Sequence, residues 1–409
     1  MRKTILVLLC LLLLCVPVSG RCQEVDLAPT PTPAPIALTP LSAAPLLEAP
    51  PLHPACAAVL LAEADSGQVI FQMNADVPRP VASVTKLMTI LLALEALDAG
   101  RLSPQEVVTV SEAAAGMGGS QVLLDVNERQ SVDTLLKCMI VGSANDAAVA
   151  LAEAMYGSEA LCVEAMNRRA GALGMTGTHF ENCTGLPADG QYTTARDVAV
   201  MSRQVFAHPH YFDLSAVWME DIDHGDGRVT QLVNTNKLLK LCDGCDGGKT
   251  GSTNEAGYCV SATAKRGDMR LVAVVLGADS GKQRFAIARE MLEYGFANYR
   301  RYPVAVRGTK VKGRLPVTGG TADGVALVLD GELTLLVNRG DEQRVTLQPD
   351  LPESLPAPVE AGQNVGHVRI LADGREIAQI PVAAAEAVAA KTALWRRILQ
   401  RWVATEGKF

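Results

Sequence analysis

Ser83 and Lys86 stand three residues apart, as Ser83-Val84-Thr85-Lys86, at the head of an apolar run through Leu87, Met88, Ile90, Leu91, Leu92, Leu94 and Leu97. With about 3.6 residues per helical turn, positions three apart share a face, so the Ser83 hydroxyl and the Lys86 amine are expected to meet at a helix N-terminus. A hydroxyl beside an amine is a candidate activated nucleophile, provided that the amine is neutral. Its pKa must then fall from about 10.4, through desolvation or a nearby cation. Alone, S-x-x-K is a common pattern that a helix cap and a solvated lysine explain better. Two later stretches change the balance. Ser143-Ala144-Asn145 follows an apolar helical pattern (Leu135, Leu136, Met139, Ile140), and Lys249-Thr250-Gly251 comes before a strand-like run, Tyr258 to Ala264. Singly, Asn145 could cap a helix, Ser143 could be a loop serine and Lys249 could be solvated.

The elements that must position these residues are legible in outline. Ala57 to Ala64 and Gln68 to Gln72 are strand candidates around the turn Asp65-Ser66-Gly67, and Arg79-Pro80-Val81-Ala82 delivers the chain to Ser83. Ser111 to Leu124, with Gly116, Gly118 and Gly119, reads as a loop beside a cleft. Val132 to Val141, Asp146 to Met155, Glu159 to Leu173 and Thr194 to Phe206 carry helical periodicity, predicting an all-α subdomain between the first and third motifs. Leu271 to Gly277 should pair with Tyr258 to Ala264, and Lys282 to Tyr299 should close the domain as a helix.

The chain of 409 residues, 48% hydrophobic and 20% charged, can bury more than one core. Its net charge of −7 supplies no basic footprint, which argues against nucleic acid as a partner. Arg2 and Lys3 precede the apolar stretch Ile5 to Val16, and Val18-Ser19-Gly20 offers small residues for cleavage. Residues 1–20 therefore read as a signal peptide and the mature protein as exported, since the stretch falls short of the ~20 residues that a spanning helix needs. Residues 21–54 are proline-rich and read as a semi-rigid linker without a fold.

The catalytic domain is expected over 55–299. Over 300–382, short strand candidates predict a small all-β sandwich, with Asp330-Gly331 and Asp373-Gly374 as hairpin turns. Residues 383–409 read as an amphipathic helix. There Leu394, Trp395, Ile398, Leu399, Trp402 and Val403 make one apolar stripe, with Arg396, Arg397 and Arg401 elsewhere on the wheel. Such a helix suits a bilayer interface and predicts peripheral attachment to the outer face of the membrane. Cysteine use leaves alternatives open. Cys242-Asp243-Gly244-Cys245 has half the spacing of a zinc site and nothing to complete it, so a local disulfide or unpaired thiols fit better.

In order and context, S-x-x-K, S-x-N and K-T-G are the signature set of penicillin-binding proteins and class A β-lactamases. The chain resembles closely the low-molecular-mass penicillin-binding proteins that act as serine-type D-alanyl-D-alanine carboxypeptidases. Beyond the motifs, the likeness rests on Ala82 to Thr89, Gly185-Leu186 with Gln191 to Asp197, Asn234-Thr235-Asn236, and Gly248 to Thr253 with Ala256-Gly257-Tyr258. One departure is Thr184, where some members carry histidine. The resemblance implies an α/β (α+β) penicillin-binding-protein and β-lactamase-like transpeptidase fold: a sheet flanked by helices with an all-α subdomain, followed by the β-sandwich and the amphipathic helix.

The implied substrate is a peptidoglycan stem peptide ending in D-Ala-D-Ala, with β-lactams as covalent inhibitors. Ser83 would be the nucleophile and Lys86 its base. Ser143 and Asn145 would relay the proton and orient Lys86. Lys249 and Thr250 would hold the terminal carboxylate, with Lys249 as a cation near Lys86, and Gly251 would leave room for the substrate beside the strand. The backbone N–H groups of Ser83 and Ser252 would form the oxyanion hole. The scheme calls for no metal and no organic cofactor.

Rival readings differ at definite points. A class A β-lactamase adds a Glu-x-x-x-Asn element after the second motif, and none occurs between Asn145 and Asp197. A DD-endopeptidase would use the same residues on a larger substrate. A non-catalytic penicillin-binding sensor would be expected to have lost Ser83, Lys86 or Lys249.

Overall fold

The structure is a computed structural model that describes residues 36–43, 47 and 50–391. The signal segment, the linker up to residue 35 and the tail from 392 onward lie outside the described residues. Among the described residues no helix is long and apolar enough to cross a membrane.

The catalytic part is built on one six-stranded sheet. Its strands are β1 (Ser42–Ala43), β2 (Ala58–Glu63), β3 (Gln68–Met73), β4 (Cys245–Thr253), β5 (Gly257–Arg266) and β6 (Met269–Ala278). They lie in the order β1, β3, β2, β6, β5, β4, which leaves β4 as an edge strand. Every residue of β2 is buried, because the sheet is covered on both faces. With side chains alternating along a strand, Ala58, Leu60 and Ala62 enter the core of the helical subdomain. Val59 and Leu61 pack instead with Phe285, Met291 and Leu292 of the long helix Gly281–Asn298.

Helix α1 (Lys86–Asp98) is buried almost all round, as a helix apolar on every face should be. The helices α2 (Asn145–Tyr156), α3 (Glu159–Ala172) and α4 (Ala195–Val205) surround it, and α5 (Gly281–Asn298) closes the other face of the sheet. Thr194, Ser158 and Ser280 cap α4, α3 and α5 with side-chain oxygens, which explains where these helices begin.

Several expectations need correction. Part of the linker is ordered against the sheet: β1 pairs in parallel with β3, and Arg203 and Gln204 of α4 donate to the carbonyls of Thr39 and Ile36. The reason is that β3 would otherwise expose an unpaired edge. K-T-G does precede the strand expected at Tyr258 to Ala264, and it lies itself inside a strand, β4, that pairs with β5. A hairpin, Met219–Asp223 with Val229–Val233, occupies a stretch to which no element was assigned.

In the β-domain, Asp373-Gly374 is a hairpin turn with both residues at positive φ, joining Asn364–Ala372 to Arg375–Ala384. Asp330-Gly331 is not one. Gly324–Leu329 pairs with Lys310–Thr318 and with Arg375–Ala384, whereas Leu333–Asn338 pairs with Tyr299–Ala305, so the chain crosses there from one layer of the sandwich to the other. The start of the expected tail helix is also corrected. Ala383 and Ala384 end a strand, and Val388 and Ala390 bridge to Val359 and Gly320. Val382, Ala384 and Val388 complete the apolar core of that domain, so helix there would uncover it. The helical stripe from Leu394 lies outside the described residues. The thiols of Cys242 and Cys245 are unpaired, across a turn closed by Cys245 N–H to the Cys242 carbonyl at 3.1 Å.

Candidate active site

Ser83 sits in a short 3-10 turn, Ala82–Thr85, that leads into α1. Ala82 has φ +51°, an unfavourable value for a side chain with a Cβ, and this sharp entry sets Ser83 at the helix mouth. Lys86 follows one turn later and is fully buried. Its Nζ lies 3.0 Å from Ser83 Oγ, 2.6 Å from Asn145 Oδ1 and 2.6 Å from the carbonyl oxygen of Thr184.

A protonated amine would donate to all three neighbours. A neutral amine has two N–H donors and one lone pair. The carbonyl and amide oxygens can only accept, so in the neutral state the lone pair is left for the Ser83 hydroxyl. Burial favours that state, pulling the Lys86 pKa down to about 7 against the opposing pull of Cys183 and Asp146. Desolvation thus meets the requirement placed on this amine, and it outweighs any help from a neighbouring cation.

Ser143 and Asn145 come from a strained connection. The helix Val132–Lys137 loosens into a π-type turn, Cys138–Gly142, and Ser143 then adopts φ +62° before α2 begins at Asn145. Asn145 Nδ2 donates to the Gly118 carbonyl at 2.6 Å, and Asn145 N–H donates to Ser120 O at 2.7 Å. The amide is thereby turned with its oxygen toward Lys86. Asp146 holds the same glycine-rich loop by accepting from the N–H groups of Val122 and Leu124, each at 3.1 Å.

Lys249, on the edge strand, is buried and donates to Ser143 Oγ at 2.8 Å and to the Thr250 carbonyl at 3.0 Å. Burial lowers its pKa strongly, and the charges of Lys86 and Arg284 push in the same direction. The candidate residues therefore form two sets of contacts, Ser83–Lys86–Asn145 and Lys249–Ser143, near enough for the charge of Lys86 to act on Lys249.

Gly251 has a reason beyond the expected room for substrate. A Cβ there would lie 2.5 Å from the Val81 carbonyl and 2.8 Å from Ser83 N, so only glycine lets β4 close against the turn that carries Ser83. Gly185 does the same from the other side, where a Cβ would fall 2.0 Å from the Ala82 carbonyl. Thr250 and Ser252 flank Gly251 on the edge strand β4.

Three contributors escape a reading of motifs. The Thr184 carbonyl is one, and a backbone acceptor has no side-chain signature. Its loop is shaped by Asn182, whose Oδ1 accepts from Gly185 N at 2.7 Å and from Thr184 N at 3.2 Å, and is pinned to α1 by the Thr89 hydroxyl on the Cys183 carbonyl. Arg284, behind β4, donates to the carbonyls of Gly251 and Cys259. Tyr211 is the third: its hydroxyl accepts from Gly248 N and donates to Gly248 O, bracing the strand where φ reaches +141°. Replacing Asn182 with alanine should loosen the Thr184 carbonyl and slow covalent reaction with a β-lactam about tenfold, consistent with loss of roughly one hydrogen bond to the Lys86 amine. Stopped-flow acylation by a chromogenic cephalosporin measures this.

Residues 46–280 match the family model for D-alanyl-D-alanine carboxypeptidase, and residues 299–390 match that for the C-terminal domain of penicillin-binding protein 5. The chain is 37% identical over 335 residues to D-alanyl-D-alanine carboxypeptidase DacF of Bacillus subtilis, covering 82% of this chain and 86% of the relative. It is 32% identical over 331 residues to DacA of Escherichia coli, covering 79% and 81%. Among solved structures, penicillin-binding protein 5 of Haemophilus influenzae superposes with a TM-score of 0.72 at 29% identity, covering 84% of this chain and all of that one. Penicillin-binding protein D2 of Listeria monocytogenes in its ampicillin-bound form superposes with a TM-score of 0.54 at 33% identity, over 60% of this chain and 99% of that one. A buried amine on a serine, with S-x-N and K-T-G closing around it, agrees with these likenesses: the chain belongs to the D-alanyl-D-alanine carboxypeptidase family of low-molecular-mass penicillin-binding proteins.

Proposed function

We propose that Ser83 is the acylated nucleophile of this serine-type D-Ala-D-Ala carboxypeptidase, acting on peptidoglycan stem peptides. The observation that carries the proposal is the fully buried Lys86 amine, 3.0 Å from Ser83 Oγ and held by two acceptors that leave its lone pair for the hydroxyl.

Ser83 Oγ attacks the carbonyl carbon of the penultimate D-alanine while its proton passes to Lys86. The carbonyl oxygen becomes an oxyanion, met by the N–H groups of Ser83 and Ser252. When the intermediate collapses, the C–N bond breaks and the departing D-alanine nitrogen takes the proton from Lys86 by way of Ser143. A water molecule, deprotonated by Lys86, then attacks the ester and returns Ser83. β-Lactams enter by the same attack and leave an ester on Ser83.

The two buried lysines suit this sequence. Two adjacent ammonium groups in a dry cleft repel, so the empty site disfavours charging both. The terminal carboxylate of the peptide, bound by Lys249 and Thr250, favours charge on Lys249. That cation in turn favours neutral Lys86, so substrate binding prepares the base.

The pH dependence follows in sign. The base must be neutral, so acylation should fall about tenfold per pH unit below about 7 and level off above it, as expected for a single essential base. Acylation rates between pH 5 and 8.5 check this. The activity itself is tested by D-alanine release from a soluble peptide ending in Lys-D-Ala-D-Ala, comparing the enzyme with Ser83→Ala. Release by the first and none by the second is the expected result.

The proposal places this work outside the cytoplasm, with the basic, tryptophan-bearing tail as peripheral membrane contact. The export segment, the tail's stripe from Leu394 to Val403 and the wall substrate support that reading.

A further inference from the structure

Beyond the nucleophile, the edge of β4 continues past Ser252 into a cavity of about 540 Å³. Its walls include Arg79, Asn254, Glu255, Gly277 and Asp279, and it shares Ser252 with the site described above. Among the described residues, the charged groups there have no ion-pair partner. The Arg79 guanidinium lies across Gly277, where an added Cβ would come 3.3 Å from its Nη2, so glycine at that position leaves it space. Among the described residues no carboxylate lies within ion-pair distance of Arg79, and no cation lies within that distance of Glu255 or Asp279. Other arginines of the same domain are committed, to carboxylates as Arg196 is to Asp76 and Arg270 to Asp246, or to backbone carbonyls as Arg284 is to those of Gly251 and Cys259.

The direction of a bound peptide follows from the proposed roles of Lys249, Thr250, Ser83 and Ser252, and the inference rests on that reading. A carboxyl terminus at Lys249 and Thr250, with the scissile carbonyl between Ser83 and Ser252, makes the peptide run antiparallel to β4 as an added strand. Its residues before the scissile bond then lie beside Thr253, Asn254 and Glu255. At about 3.3 Å per residue, the residue preceding the penultimate D-alanine reaches the mouth of the cavity.

We propose that this cavity binds the side chain of that preceding residue and selects one ending in both a carboxylate and an ammonium, as a diaminopimelyl side chain does. Arg79 takes the carboxylate, while Asp279 and Glu255 take the ammonium. A guanidinium and carboxylates that line one cavity without pairing to each other are the complement of a zwitterion. A lysyl side chain would satisfy only the acidic half, and an acetylated lysyl side chain neither half.

The test compares D-alanine release from three soluble peptides that differ only at this residue: diaminopimelyl, lysyl and Nε-acetyl-lysyl, each followed by D-Ala-D-Ala. For the unmodified enzyme kcat/KM should fall about tenfold from the diaminopimelyl to the lysyl peptide and about tenfold again to the acetyl-lysyl one, mostly through KM, as the loss of one charge-assisted contact at each step gives. In Arg79→Gln the diaminopimelyl to lysyl ratio should fall toward one. In Asp279→Asn the lysyl to acetyl-lysyl ratio should fall instead, which keeps the test open should the first variant fold poorly. Equal kcat/KM for the three peptides, or a diaminopimelyl preference that survives both substitutions, would overturn the subsite while leaving the carboxypeptidase reading intact. Absence of release from every peptide by the unmodified enzyme would overturn both.

Discussion

Replacing Lys86 with methionine should slow acylation of Ser83 by on the order of 10³-fold or more, the scale expected when a general base is removed. Methionine matches the lysine stem in length, so the loss would report the missing amine rather than a cavity. The lone pair that faces Ser83 Oγ at 3.0 Å would vanish, and no other titratable group is within hydrogen-bond distance of that hydroxyl among the described residues. The acceptors Asn145 Oδ1 and Thr184 O would lose their donor as well. Arginine at this position should be as inactive, because a guanidinium is not deprotonated in a protein. Rates of labelling by a fluorescent penicillin, followed over hours, separate a slow base-free reaction from none. Labelling of Lys86→Met within tenfold of the unmodified rate would show that another group takes the proton.

Gly251→Ala should cost nearly as much for a different reason. The new Cβ would lie 2.5 Å from the Val81 carbonyl and 2.8 Å from Ser83 N, distances at which backbone must give way. Either β4 moves outward, carrying Ser252 N–H away from the oxyanion position, or the 3-10 turn tilts and takes Ser83 with it. Displacing one oxyanion donor costs about 10²–10³ in rate. The expected result is a drop of that size in kcat for D-alanine release, while Lys86 keeps its burial and the pH at which activity falls stays near 7. Full activity in Gly251→Ala would mean that the strand does not need to touch the nucleophile turn.

How much of this was legible in the sequence depends on the range of the interaction that decides each feature. Ser83 and Lys86 meet because of a spacing within one helical turn, and β2 forms from a run whose apolar character needs no partner to be recognised. The contact of Asn145 with Lys86 spans 59 positions, and only the ordered motifs made it foreseeable. The Thr184 carbonyl was invisible because every residue carries one, and the loop that aims it depends on Asn182 and on Thr89 from α1.

At Gly251 a second constraint stays hidden in the sequence, because it comes from Val81 and Ser83, far away along the chain and packed against it only in the fold. Asp330-Gly331 has the composition of a hairpin turn, yet the strands on either side find better partners in two different layers. The ordered end of the linker is a similar case, since nothing local to Ser42 shows that β3 lacks an edge partner. The helix expected over 383–409 rests on the stripe from Leu394 to Val403, which carries no information about the residues before it. There the apolar core that Val382, Ala384 and Val388 complete decides the conformation.

The most direct test of the account is the site of covalent modification. The protein is incubated with benzylpenicillin, quenched in acid, digested and mapped by mass spectrometry. The account predicts one penicilloyl ester on the peptide that contains Ser83, and no adduct in Ser83→Ala. An adduct on another residue, or D-alanine release by Ser83→Ala at the unmodified rate, would contradict it.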